Sequence, residues 1–125
     1  SLLDRGNGMT NEWARPVVYF QIEALNIDVL EPFYRQMFNW DISEGFLRQI
    51  PTGIGGPENG IGGHMSEGTR GGVTLFIQVK NVEASRAMAV SLGGKLTSEP
   101  FQIPGRALIA GIEDPEGNPI TLVQQ

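Results

Sequence analysis

One order of elements, a strand, a helix and three further strands, can be read twice along this chain, and that repetition limits the fold more than any single motif. The first copy occupies about residues 16–66 and the second residues 72–125. A unit of this kind buries little apolar surface alone, so two copies are expected to share one sheet. The second copy ends most clearly. Asp114-Pro115-Glu116-Gly117-Asn118 is turn chemistry, because Pro115 presets φ while Gly117 and Asn118 accept positive φ. It feeds Pro119-Ile120-Thr121-Leu122-Val123, which alternates as a half-buried strand does. Near the end of the first copy, Pro57-Glu58-Asn59-Gly60-Ile61 echoes that turn.

The first copy opens at Pro16-Val17-Val18-Tyr19-Phe20-Gln21-Ile22, rich in β-branched and aromatic residues, with proline in the first position of a strand. Asp28 stands three residues before Glu31, as in a capping box, and Leu30, Phe33, Tyr34, Met37 and Phe38 follow at helical spacing. The pattern predicts a helix whose apolar face, with Phe33, Met37 and Phe38, covers the sheet. Its start depends on Pro32, which forfeits a hydrogen bond if Asp28 is the cap and none if the helix begins one residue before it. Asn39 closes the helix, and Trp40 to Ile50 alternates as a strand bent at Gly45. Most of the glycines fall between Pro51 and Gly72, including Gly53-Ile54-Gly55-Gly56 and Gly60-Ile61-Gly62-Gly63. That segment reads either as a flexible active-site loop or as short strands whose glycines let something pack against the backbone.

The second copy begins with a strand from Gly72 to Val79. Asn81 then caps a helix running to Leu92 and stopped by Gly93-Gly94, with Val82, Ala89 and Leu92 pointing inward. Strands around Lys95-Leu96-Thr97 and from Ala107 to Ile112 follow, with Pro104-Gly105 turning between them.

A chain of 125 residues is long enough to bury a core as one domain, here expected over residues 16–125 after a flexible N-terminal tail at 1–15. The formal charge of -5 and the absence of any Lys or Arg run argue against nucleic acid as a partner. Without cysteine, the sequence has neither disulfides nor thiolate metal sites. It also has no signal peptide and no apolar run near the ~18 residues a membrane span needs, so a soluble, cytoplasmic protein with no membrane partner is expected.

Three stretches carry a family resemblance: residues 32–40 (Pro-Phe-Tyr-Arg-Gln-Met-Phe-Asn-Trp), Val79-Lys80-Asn81-Val82-Glu83-Ala84 with Leu92-Gly93-Gly94, and Asp114 to Ile120. Together they resemble the vicinal oxygen chelate superfamily, which holds glyoxalase I, bleomycin resistance proteins, fosfomycin resistance enzymes and extradiol dioxygenases. The resemblance covers residues from about 16 to 125. It implies an α+β fold in which two βαβββ modules form a curled, cleft-enclosing mixed sheet with helices outside, in a chain that dimerises. It also implies metal-ligand positions on the first and last strands of each module. Those positions correspond here to Tyr19, Thr74, Thr121 and one of Gly62, Gly63 or His64. Hydroxyls are poor substitutes for carboxylate or imidazole, and a chain with one histidine cannot build a two-His-one-carboxylate site. The expectation is therefore no divalent metal and no other cofactor.

Strand alternation from the same positions turns Tyr19, Gln21, Thr74, Phe76 and Thr121 toward the cleft. With His64 they form the candidate ligand-binding set, the alternative being a filled barrel interior with satisfied polar groups. His64 is the side chain that titrates near neutrality, which makes it the catalytic candidate unless it is a rim histidine without chemical duty. Arg86 either reaches a carboxylate on a ligand or partner, or snorkels along the sheet edge to water. Trp13 suits a dimer contact. Gly60 to Gly63 lacks the strand-loop-helix context and the lysine of a phosphate loop. Two functions fit these residues. One is a homodimeric protein that binds a small, partly apolar organic molecule without metal. The other is a lyase, isomerase or dioxygenase-type enzyme with an atypical metal site or with His64 and Tyr19 as acid and base.

Overall fold

The computed structural model describes residues 13–51 and 60–124. Along the chain lie β1 (Val17–Ala24), α1 (Ile27–Phe38), β2 (Arg48–Ile50), β3 (Gly63–Glu67) and β4 (Gly72–Val79), then α2 (Val82–Ser91), β5 (Lys95–Leu96), β6 (Phe101–Gln102), β7 (Leu108–Glu113) and β8 (Pro119–Gln124). The strands make one open, mixed sheet in the order β2-β3-β1-β4-β8-β7-β5, with β6 beside β7. Antiparallel β1 and β4 meet at its centre, and each continues outward into a parallel neighbour, β3 or β8, and then an antiparallel one, β2 or β7. The fold is α+β; among the described residues, two strands follow the helix in the first half and four in the second.

The repetition extends to single side chains. Tyr19, Gln21, Asn26, Ile27 and Glu31 follow one another at the same intervals as Thr74, Phe76, Asn81, Val82 and Arg86. Asn26 and Asn81 both cap their helices, accepting from the backbone N–H groups of Asp28 (3.2 Å) and Ala84 (2.8 Å). The first helical N–H is met in each half by the last strand of that half, Ile27 N donating to Glu67 Oε2 at 3.0 Å and Val82 N to Gln124 Oε1 at 2.7 Å. Each helix thus has two of its orphan donors satisfied the same way. Two apolar clusters result, one around Ile22, Ile50 and Met65 and the other around Val79, Val82 and Leu122. The echo at Pro57 to Asn59, the glycines at 53–56 and most of the N-terminal tail lie outside the described residues.

Several local expectations are corrected. The first helix starts at Ile27 on the Asn26 cap, so Pro32 lies inside it and Asp28 does not cap. Its inward face is Ile27, Leu30, Glu31 and Tyr34, while Phe33, Met37 and Phe38 are half or more exposed. Three of the five apolar positions in the expected stripe therefore face away from the sheet. Residues 40–47 are not a strand. Gly45 adopts φ +110° and turns the chain, so that Ser43 pairs back onto Gln49 before the short β2. In the second helix Leu92 points outward at 71% exposure and Arg86 points inward. Arg86 does not reach water along the sheet edge. It bonds Glu83 (3.0 Å), Glu99 (3.3 Å) and the carbonyl of Ser98 (3.4 Å), and its Nε is buried without a partner.

Of the two readings of the glycine-rich segment, close packing holds at Gly63. A Cβ there would overlap the carbonyl oxygen and ring of Phe20 on the adjacent strand. Trp40 stacks on Tyr34 within the first apolar cluster, with ring centroids 5.4 Å apart. Trp13 is 40% exposed and carries the Arg15 guanidinium over its ring at 4.3 Å.

Candidate ligand cleft

The face of the sheet turned away from the helices carries the polar alternates of the central strands. Register sets two rows across it. Gln49, His64, Gln21 and Thr74 stand directly opposite one another on β2, β3, β1 and β4. Tyr19, Phe76, Thr121 and Gly111 form the neighbouring row on β1, β4, β8 and β7. The uncertain position near Gly62 to His64 is resolved by the same register. His64 faces Gln21 as Thr121 faces Phe76, so His64 and Thr121 are counterparts in the two halves.

A cleft of about 880 Å³ opens on this face. Tyr19, Gln21 and Phe76 line it, as alternation predicts, together with His64, whereas Thr74 and Thr121 share the face without lining the cleft. The physical reason is the turn between β6 and β7. Ile103, Gly105 and Arg106 fold over the sheet near Ile109 and Val123 and build the cleft's second wall there, beyond the Thr74 row. At Thr121 the opposing residue is Gly111, whose missing Cβ is replaced by the side chains of Thr97 and Ser98.

Within the cleft Tyr19 is the organising residue. Its hydroxyl lies 2.9 Å from His64 Nδ1, and its ring packs edge-on against Phe76 with centroids 5.0 Å apart. Burial raises the phenol above its ordinary value of 10.0, opposed by a side-chain hydrogen bond with Gln49 and by the charge of Arg106. Burial also holds the His64 imidazole below its ordinary value of 6.5. Near neutral pH both groups are therefore uncharged, and with the phenol as donor the ring proton sits on Nε2. Such a pair can hold a proton ready for a bound molecule or accept one from it.

Sequence reasoning did not single out Arg106, Gln49, Ile109 or Val123. Arg106 follows Pro104-Gly105, and its place on a turn after a short strand gave no periodicity to read. The signal that could have found it is the turn itself, since turns on a rigid sheet often carry binding residues.

No protein-family model matches the sequence, and no curated protein matches it. Solved structures do. A glyoxalase/bleomycin resistance protein/dioxygenase superfamily member from Vibrio splendidus 12B01 aligns with a TM-score of 0.63 at 12% identity, over 90% of this chain and 100% of that one. The methylmalonyl-CoA epimerase from Mycobacterium tuberculosis aligns at 0.57 and 18% identity, over 90% and 92%.

The chain has the vicinal oxygen chelate fold.

Another protein of similar fold is the Mn(II)-bound glyoxalase from Novosphingobium aromaticivorans, with a TM-score of 0.58 and 16% identity over 88% of this chain and 38% of that one. The vicinal oxygen chelate positions here do not fit such an ion. Their donors are one phenol, one imidazole and two aliphatic hydroxyls, with His64 Nδ1 already beside the Tyr19 hydroxyl. Among the described residues, no three of His, Cys, Asp or Glu come together as a metal cluster would need. No helix of the described residues is long and apolar enough to cross a membrane.

Proposed function

We propose that this protein binds a small, partly apolar organic molecule in the sheet cleft without the usual divalent metal. The observation that carries this reading is the composition of the cleft wall. Phe76, Ile109 and Val123 supply apolar surface, Tyr19, Gln21 and His64 supply oriented polar atoms, and among the described residues no carboxylate lines it. Small-molecule sites have this makeup, a mostly apolar concavity with a few placed polar groups. Tyr19, Gln21, His64 and Phe76 are the contacts assigned to the ligand, with Thr74 and Thr121 on the same face beyond it. Homodimerisation belongs to this reading. The outer faces of the helices leave Val29, Phe33 and Met37 exposed in one half and Met88 and Leu92 at the matching places in the other, a surface a second copy could cover. A thermal-shift screen of aromatic and aliphatic metabolites, run with metal analysis of the same preparation, tests the proposal, because a ligand of the native state raises the unfolding temperature. A stoichiometric divalent ion, removed by chelator together with binding, would overturn it.

The Tyr19 to His64 contact of 2.9 Å favours a second reading, an enzyme that moves a proton between this pair and a bound substrate. His64→Ala separates the two: a binding protein keeps part of its ligand affinity, whereas an acid-base enzyme loses turnover by the 10²–10⁴ that such catalysis typically contributes.

A further inference from the structure

Resting on the reading of the cleft as a ligand site, we infer that its ligand is an anion, an apolar or aromatic body bearing a carboxylate or like oxyanion, and that Arg106 is the residue that recognises it. The chain is acidic, with 14 Asp and Glu against 9 Lys and Arg, yet the cleft reverses that sign. Among the described residues, Arg106 is the charged residue of the lining. The Asp and Glu side chains that hold arginines elsewhere, Glu31, Glu83, Glu99 and Glu113, are not among the lining residues.

The turn that carries Arg106 is built to present it. Ile103 N donates to the carbonyl of Ala107 at 3.0 Å, and Arg106 N to the carbonyl of Ile103 at 2.8 Å. The Gln102 side chain then clamps the turn from below, its Nε2 donating to the carbonyls of both Ile103 (3.1 Å) and Arg106 (2.8 Å). Gly105 takes the positive φ of +70° that the tight turn requires. The backbone beneath the guanidinium is therefore fixed before any ligand arrives, which lowers the ordering cost of binding. The guanidinium is close enough to the Tyr19 hydroxyl for its charge to be felt there. An anion held at Arg106 would lie in the same cleft as Tyr19, with Phe76, Ile109 and Val123 there for its apolar body. A planar guanidinium gives a carboxylate two parallel, charge-assisted bonds, a geometry an ammonium cannot copy.

Matched probes test this: 2-naphthoate and 2-naphthamide, of the same shape and differing in charge, titrated calorimetrically into the wild-type protein, Arg106→Gln and Arg106→Lys. The expected result is naphthoate binding at least about tenfold tighter than naphthamide to the wild type, roughly 1.4 kcal/mol of preference. Arg106→Gln is expected to bring the two probes within about twofold, chiefly by weakening naphthoate, and Arg106→Lys to keep only part of the preference. Unchanged unfolding midpoints show that the exposed turn still folds. If naphthamide binds the wild type as well as naphthoate, or if Arg106→Gln keeps the preference, the anion assignment is overturned while the cleft remains a ligand site. If neither probe binds, both that reading and this one fail for flat aromatic ligands.

Discussion

Glu31 and Arg86 stand at matching places in the two helices, each buried against its own half of the sheet, and they carry opposite charges. Glu31 is bonded by Arg35 at 2.7 Å and lies 3.4 Å from Arg48 of β2. Arg86 is bonded by Glu83 and Glu99, both largely solvated, and has one buried N–H without a partner. The same site in a duplicated scaffold has thus been filled in two electrostatically opposite ways.

Their stabilities are expected to differ accordingly. Glu31→Gln leaves two arginines without their shared carboxylate and weakens charge-assisted bonds, so it should cost about 1.5–3 kcal/mol. Arg86→Met removes the unpartnered N–H and strands two solvated carboxylates and the Ser98 carbonyl, the last bonded at only 3.4 Å, so it should fall within about 1 kcal/mol of wild type. Urea unfolding of the two variants checks this, and equal losses would contradict it.

Acid should destabilise the fold in a definite window. The hydrogen bond from Arg35 holds the Glu31 carboxyl below its ordinary value of 4.5. Bonds from the Asn118 side chain and backbone hold Asp114 below 3.8. A depressed folded value means that the unfolded chain binds protons first, so this stability is complete above about pH 4.5 and is lost as pH falls through the folded values. Unfolding free energy measured from pH 6 to 3 should decline below that point, and less steeply in Glu31→Gln.

His64 should titrate below 6.5, because burial penalises its charged form. Its stabilising contribution is present above that value and disappears as pH falls toward the folded one. Being the one histidine, it gives a single Hε1 resonance whose midpoint can be followed by NMR. A midpoint at or above 6.5 would show that the cleft does not shield it.

Gly63→Ala should destabilise by about 1–3 kcal/mol, the usual range for forcing atoms into packed space. The methyl group has no room beside the Phe20 carbonyl, and β3 would separate from β1 where it does. A wild-type melting temperature for this variant would contradict the close approach.

Metal analysis after equilibration with Mn(II), Zn(II) or Ni(II) should find well below one equivalent, since a phenol, an imidazole and two hydroxyls make a weak donor set for any of them. Retention of a full equivalent after gel filtration would show that the ligands come from elsewhere.

Much of the fold was legible because it is written twice. The strand from Gly72 to Val79, the helix capped by Asn81 and the turn at Asp114 all stand where their residue types require. The first helix was harder. Its apolar residues occupy both faces, so periodicity could not choose the buried one, and the face that is buried sets Glu31 3.4 Å from Arg48, a residue distant in sequence. At the cleft, alternation put Tyr19, Gln21, Thr74, Phe76 and Thr121 on one face, of which Tyr19, Gln21 and Phe76 line the cavity with His64 beside them. It could not see Arg106, because that side chain is placed by a turn folding across the sheet and obeys no strand period.

The placement of the shortest strands has one last effect. β2, of 3 residues, and β5, of 2, lie at the two ends of the strand order, each with a cation in it, Arg48 or Lys95. Gln49, in the middle of β2, is moreover engaged by Ser43. Among the described residues, a foreign chain seeking to extend the sheet finds brief stretches of backbone to pair with, charged in β2 and β5 and uncharged in the 2-residue β6 beside β7, whereas the long β1 and β4 are locked against each other at the centre. The architecture that opens a cleft on one face thereby guards its borders against runaway polymerisation.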